Sequence, residues 1–331
     1  MRLDTANRSF VTLMVLALIP YALIGVFCCG ALSLLAYRVS TDGIRVLTDD
    51  WRIWPAIAFF AVVGAGTIRA LLSLRTQLRA TDRLGRHVRS LEVAACPKLE
   101  AAAASTSLTR RVVLIDDERA FSFTFGLRYP RVAVSRGLVD VASPDELTAA
   151  LEHERYHVRN LDPLKVLVAR AAGPALFYLP VLRDLHRRYV AGRELAADRR
   201  AARACGPQPL AGALYKVTTG PKWSELGAAA AIGADDLLDL RVTQLETGRE
   251  PAIPQTSRPA LAASAIALGL LGTALTFSLV TLGDPATLFS MSNGSTSSDT
   301  ATNVLGMLCC VALWSVIAWA ITRRVRRARR A

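Results

Sequence analysis

At 331 residues the chain can hold one large or two small domains, and its 52% hydrophobic content is clustered rather than spread. A formal net charge of +13 raises nucleic-acid binding as an account. The arginines flank apolar segments and no nucleic-acid motif occurs, so a direct nucleic-acid partner is set aside in favour of anionic inner-leaflet lipid.

Four apolar segments lie at residues 10–37, 53–74, 259–282 and 304–322. Each is near the roughly 20 residues that cross a bilayer as a helix. The first is too long for the apolar core of a signal peptide and is expected to be retained. Arg69, near the end of the second, can snorkel to the interface. The predicted class is therefore an α-helical integral membrane protein, with the lipid bilayer as a partner.

Orientation follows from the flanking charges. Arg75, Arg79, Arg83, Arg86 and Arg89 follow the second segment, and a run of six arginines follows the fourth. The loop 283–303 has no Lys or Arg. Both termini and the central region are thus expected on the cytoplasmic side of the cell (inner or plasma) membrane, although the outer loop 38–52 carries three arginines. The expected organisation is an N-terminal hairpin over 1–80, a cytoplasmic domain over 81–258, and a C-terminal hairpin with a basic tail over 259–331.

Within the central region, residues 75–99 are expected as a basic helix leaving the membrane, and 101–107 as a small-residue linker. Residues 112–116, 120–126 and 131–135 are expected as strands. The run Ala120-Phe121-Ser122-Phe123-Thr124-Phe125-Gly126 alternates with the period of a half-buried strand. An exposed edge here could take an extended peptide by strand addition, or be an ordinary sheet strand.

Ser143-Pro144-Asp145-Glu146 is a helix start: Ser143 caps, Pro144 suits the first position, and Glu146 completes a capping box. Asp162-Pro163 is the expected stop. Mid-helix comes His153-Glu154-Arg155-Tyr156-His157. Residues four apart share a helix face, so His153 and His157 can present two imidazoles to one Zn2+ ion. Glu154 is placed to hold a water beside that metal as general base. Two incidental histidines on an amphipathic helix are the bland alternative. His87 and His186 are taken as surface histidines in basic flanks.

A catalytic zinc needs a third protein ligand and an open position. Glu194, in Arg193-Glu194-Leu195-Ala196-Ala197-Asp198, is the candidate. Asp198, one turn on, can orient a ligand histidine through its distal N–H. A solvated helix with ion pairs to neighbouring arginines is the alternative. This helix is expected to end near Cys205, before Gly206-Pro207. Residues 165–182 are apolar but interrupted by Arg170, Gly173-Pro174 and Pro180. A crossing there would separate Glu194 from both histidines, so a buried or membrane-apposed segment is expected. A helix is expected over 235–245, then a linker over 250–258. The six cysteines show no C-x-x-C and no disulfide framework.

The run H-E-R-Y-H-V-R-N-L-D-P-L followed by R-E-L-A-A-D resembles the BlaR/MecR-type membrane metallopeptidases, as do A-F-S-F-T-F-G and R-V-A-V-S-R-G-L. HtpX/Ste-type proteases share the same zinc logic. The resemblance covers roughly residues 110–205. It implies a cytoplasmic α+β gluzincin-like zinc metallopeptidase domain in which His153, His157 and Glu194 bind zinc and Glu154 is the general base. It also implies a protein or peptide substrate, with a cytoplasmic repressor as the expected one. No penicillin-binding sensor domain is expected after the fourth segment. The rival functions are a quality-control protease for damaged membrane proteins, a catalytically silent receptor or scaffold, and a transporter. The membrane segments lack paired charges, which counts against the last.

Overall fold

The structure is a computed structural model, and it describes residues 7–18, 21, 39–40, 43–45, 53–219, 237–253 and 255–282. The chain divides into two compact units, one of residues 1–15 and 67–261, the other of 16–66 and 262–331.

The first unit includes residues 81–258, the stretch expected to form the central domain. A four-stranded sheet is built from β1 (Glu92–Val93), β2 (Val112–Ile115), β3 (Ser122–Phe125) and β4 (Arg131–Ser135) in the order β1-β2-β4-β3. β2 and β4 run parallel, with Leu114 opposite Val134; β3 returns antiparallel to β4, with Thr124 opposite Val132. All three predicted strands are present, and β3 is an edge.

Strand alternation gives the sheet two apolar faces. Leu114, Val132 and Val134 pack with Leu99 of helix α3 (Pro97–Ser105), Leu138 of α4 (Arg136–Val141), and Leu147 and Leu151 of α5 (Pro144–Asn160). Val113, Ile115, Ala133, Phe121 and Phe125 pack with Leu84 and Val88 of α2 (Trp54–Ser90). Residues 101–107, expected as a linker, lie mostly inside α3. Its alanines are core, not spacer: Ala102 and Ala103 fill the space under the sheet.

α5 starts as its sequence requires. The Ser143 side chain accepts from Glu146 N–H, and the Glu146 carboxylate accepts from Ser143 N–H. At the other end Asp162-Pro163 is not a stop into a loop. Leu161 adopts a left-handed conformation, φ 53°, and Asp162 opens a new helix, α6 (Asp162–Ala175), with Pro163 in its first turn. A short turn then leads to α7 (Val181–Cys205), which runs back along α5. The segment 165–182 therefore folds as part of a helical pair that returns Glu194 to the histidines. α6 buries Val166, Leu167 and Ala169 and leaves Leu164 and Val168 exposed. α8 (Pro207–Thr219) and α9 (Leu238–Thr247) complete the unit. Pro207 begins α8 directly after Gly206, and Lys216 of α8 pairs with Glu146. Cys96 and Cys205 are free thiols.

Among the described residues α2 is the one helix long and apolar enough to cross a membrane, judged by length and composition. It joins the predicted second segment and the basic helix into one element of 37 residues. The first segment is described only at its start, in helix α1 (Asn7–Leu18), which is shorter and apolar. The third segment forms α10 (Arg258–Leu282). The fourth segment and the loop 283–303 lie outside the described residues.

Candidate metal centre

Three helical positions bring the site together. His153 and His157 project from one face of α5, with their Nε2 atoms 3.2 Å apart. Glu194 of α7 lies with Oε2 3.4 Å from His153 Nε2 and 3.8 Å from His157 Nε2. α7 approaches closely because it meets α5 through small side chains: Ala196 and Ala197 against Tyr156, and Ala201 against Ala149. All three donors are buried or nearly so.

The donor set suits a tetrahedral zinc. With bonds of about 2.0–2.1 Å to His N and carboxylate O, neighbouring ligand atoms lie about 3.4 Å apart, and the observed spacings bracket that value. Both imidazoles are also pre-oriented through their other nitrogens. His153 Nδ1 is 2.8 Å from Asp198 Oδ1, the partner expected from sequence. His157 Nδ1 is 2.6 Å from Asp162 Oδ2, a partner not foreseen. Each carboxylate fixes the tautomer that leaves Nε2 free for a metal. Asp162 also accepts from the Tyr189 hydroxyl at 3.4 Å.

Asp198 is fully buried, and Arg241 of α9 neutralises it. Arg241 Nε donates to Asp198 Oδ2 at 2.7 Å, and a second guanidinium nitrogen donates to Oδ1 at 2.7 Å. Burial alone would raise the Asp198 pKa, but Arg241 and His153 override it and bring it down to about 2. Glu194 is likewise held well below the carboxylate range: burial opposes its charge, and His157, Arg193 and His153 outweigh burial. Burial disfavours a charged His153, yet Asp198 and Glu194 lift it to about 9. The site is therefore a place where positive charge is stabilised beside fixed carboxylates.

Glu154 sits next to the donors without joining them. The Thr124 hydroxyl donates to its Oε2 at 2.7 Å, and the Ser122 hydroxyl is 3.4 Å from Oε1. The alternation of β3 thus has a purpose: Phe121, Phe123 and Phe125 form an aromatic row, while Ser122 and Thr124 reach Glu154. Ser122, Thr124, His153, Glu154, His157 and Glu194 line one cleft of about 1500 Å³.

Residues 89–218 match Peptidase family M48. That family is one of metallopeptidases, and the matched residues take in the whole sheet, both histidines, Glu154 and Glu194. The match is to the family and does not single out the BlaR/MecR type. No curated relative matches the chain.

The sequence reading placed His153, His157, Glu194 and Asp198 in one site, and the structure brings all four together. It missed Asp162, taken only as a helix stop, because a partner beyond a left-handed residue lies off the helical face. It missed Arg241, which lies outside the matched domain in a stretch with no motif. His186 requires correction: it is half-buried in the cleft rather than a surface residue, and its Nδ1 is buried. His87 is also half-buried, on α2.

Proposed function

We propose that the chain is a membrane-anchored zinc endopeptidase acting on proteins at the cytoplasmic face, with a BlaR/MecR-type regulatory role in which it inactivates a transcriptional repressor. The observation that carries the reading is the convergence of His153, His157 and Glu194 beside Glu154 in a cleft bordered by an edge strand. The M48 match supports the peptidase class. The apolar α2 supports membrane association, and the charge asymmetry of the flanks supports the cytoplasmic placement.

His153, His157 and Glu194 would hold the zinc. Bound there, a zinc ion supplies polarisation of the scissile carbonyl and a more acidic water. Glu154 takes the proton of the attacking water and passes it to the leaving amine. Thr124 and Ser122 hold the Glu154 carboxylate by its oxygens, which fixes its aim. β3 is last in the strand order of the sheet, and an extended substrate that adds beside it as a further strand would lie across the cleft. Asp162 and Asp198 hold the imidazoles still while this happens.

Metal analysis of the purified protein tests the reading. The expected result is one zinc per chain, lost in Glu194→Gln. Zinc-free protein prepared without chelators would contradict it. Cleavage of many unrelated misfolded proteins, rather than one repressor, would move the role to HtpX-type quality control.

A further inference from the structure

The cleft holds a second polar cluster that the hydrolytic chemistry leaves unused. Arg170 of α6 and His186 and Arg193 of α7 line the same cleft as His153, Glu154 and His157. His186 Nδ1 and Arg193 Nε are buried and have no hydrogen-bond partner among the described residues. Buried polar atoms without partners are rare in folded proteins. Arg193 is already held at one point, its terminal nitrogen 3.1 Å from Glu194 Oε1, which fixes its guanidinium beside a candidate metal ligand.

Arginines outnumber carboxylates around these atoms. Seven arginines and four carboxylates are among the residues lining the cleft. Three of the four carboxylates are engaged by other groups: Asp162 by His157, Glu194 by the histidines and Arg193, and Asp184 by Ser257. Burial, then the charges of Arg170 and Arg193, push His186 down to about 4, so it is a neutral imidazole able to donate one N–H.

We propose that Arg170, His186 and Arg193 form a subsite that takes a carboxylate of the bound peptide, from an acidic side chain or from the chain end. The inference rests on the peptidase reading. Two guanidinium groups and a neutral imidazole match a carboxylate in charge and in hydrogen-bond donors. An amide of the same shape lacks the charge, and a site built around a buried polar group rejects the analogue that fails to match it.

The test uses the full-length Glu154→Gln protein, loaded with zinc in detergent, so that bound peptide stays intact. Fluorescein-labelled decapeptides carry Glu or Gln at each position in turn, with free or amidated C-termini, and affinity is read by anisotropy. The expected result is at least tenfold tighter binding of the carboxylate form. Preference that follows the Glu position assigns a side chain; preference that follows the free C-terminus assigns the chain end. Adding Arg170→Gln should abolish the preference while leaving affinity for the amide peptide unchanged, and Arg170→Lys should keep part of it. Retained zinc in both variants shows that they fold. Equal affinity for acid and amide forms, absence of peptide binding, or a preference untouched by Arg170→Gln would overturn the subsite. Wild-type hydrolysis without acid preference leaves the peptidase reading standing. Acid-selective binding without wild-type hydrolysis sinks the peptidase reading and keeps the subsite.

Discussion

His157 receives its orienting carboxylate from Asp162, five residues on, across a single left-handed residue. A left-handed leucine costs about 1–2 kcal/mol relative to the right-handed helix, and here it turns the chain so that Asp162 faces back to the metal site. Replacing such a partner typically weakens metal affinity by about 10–100-fold. Asp162→Asn should therefore lower zinc affinity by that factor, measured by competition with a chromogenic chelator; unchanged affinity would mean that Asp162 only closes the helix. The three donors of the candidate metal centre were legible in the sequence because their spacing encodes one helix face and one E-x-x-x-D turn. Asp162, Ser122 and Thr124 were visible as residues but not as partners, because their contacts depend on how α6 and β3 fold back on α5.

The same contrast holds for whole elements. The start of α5 and the three longer strands followed from capping chemistry and from alternation, both of which are local. α3 and the role of α9 did not. A run of alanines fits linker and buried helix alike until the sheet above it is known, and Arg241 matters only because α9 docks on α7, where Gln244 also donates to Leu195 O at 2.8 Å. The capping box gives a pH test of the element that carries the histidines. Lys216 first, then the Ser143 N–H, hold Glu146 below its ordinary value of 4.5. A depressed carboxylate pKa contributes stability that is fully present above the unfolded value and is lost as pH falls through the folded one. Ser143→Ala should cost about 1 kcal/mol at neutral pH. Glu146→Gln should flatten the loss of stability below pH 4.5, read as unfolding midpoints across an acid series. An acid limb of unchanged slope would show that Glu146 is not a source of that loss.

At the scale of the molecule, the region that matches Peptidase family M48 follows the apolar stretch of helix α2 in the chain. The proposed topology places both termini and the central domain in the cytoplasm, with 38–52 and 283–303 outside. Cysteine accessibility in intact cells checks this: thiols introduced in the loop 283–303 should label with an impermeant reagent, and those near residue 5 or 328 should label only after permeabilisation. The reverse pattern would move the site to the outer face. The central claim is that this site hydrolyses peptide bonds with Glu154 as the base. General acid–base groups contribute about 10²–10⁴-fold to rate. The most direct measurement compares peptide-library cleavage by wild type and Glu154→Gln at equal zinc content. The account predicts hydrolysis by wild type and a rate at least ~100-fold lower in the variant; equal rates, or no hydrolysis by zinc-loaded wild type, would contradict it.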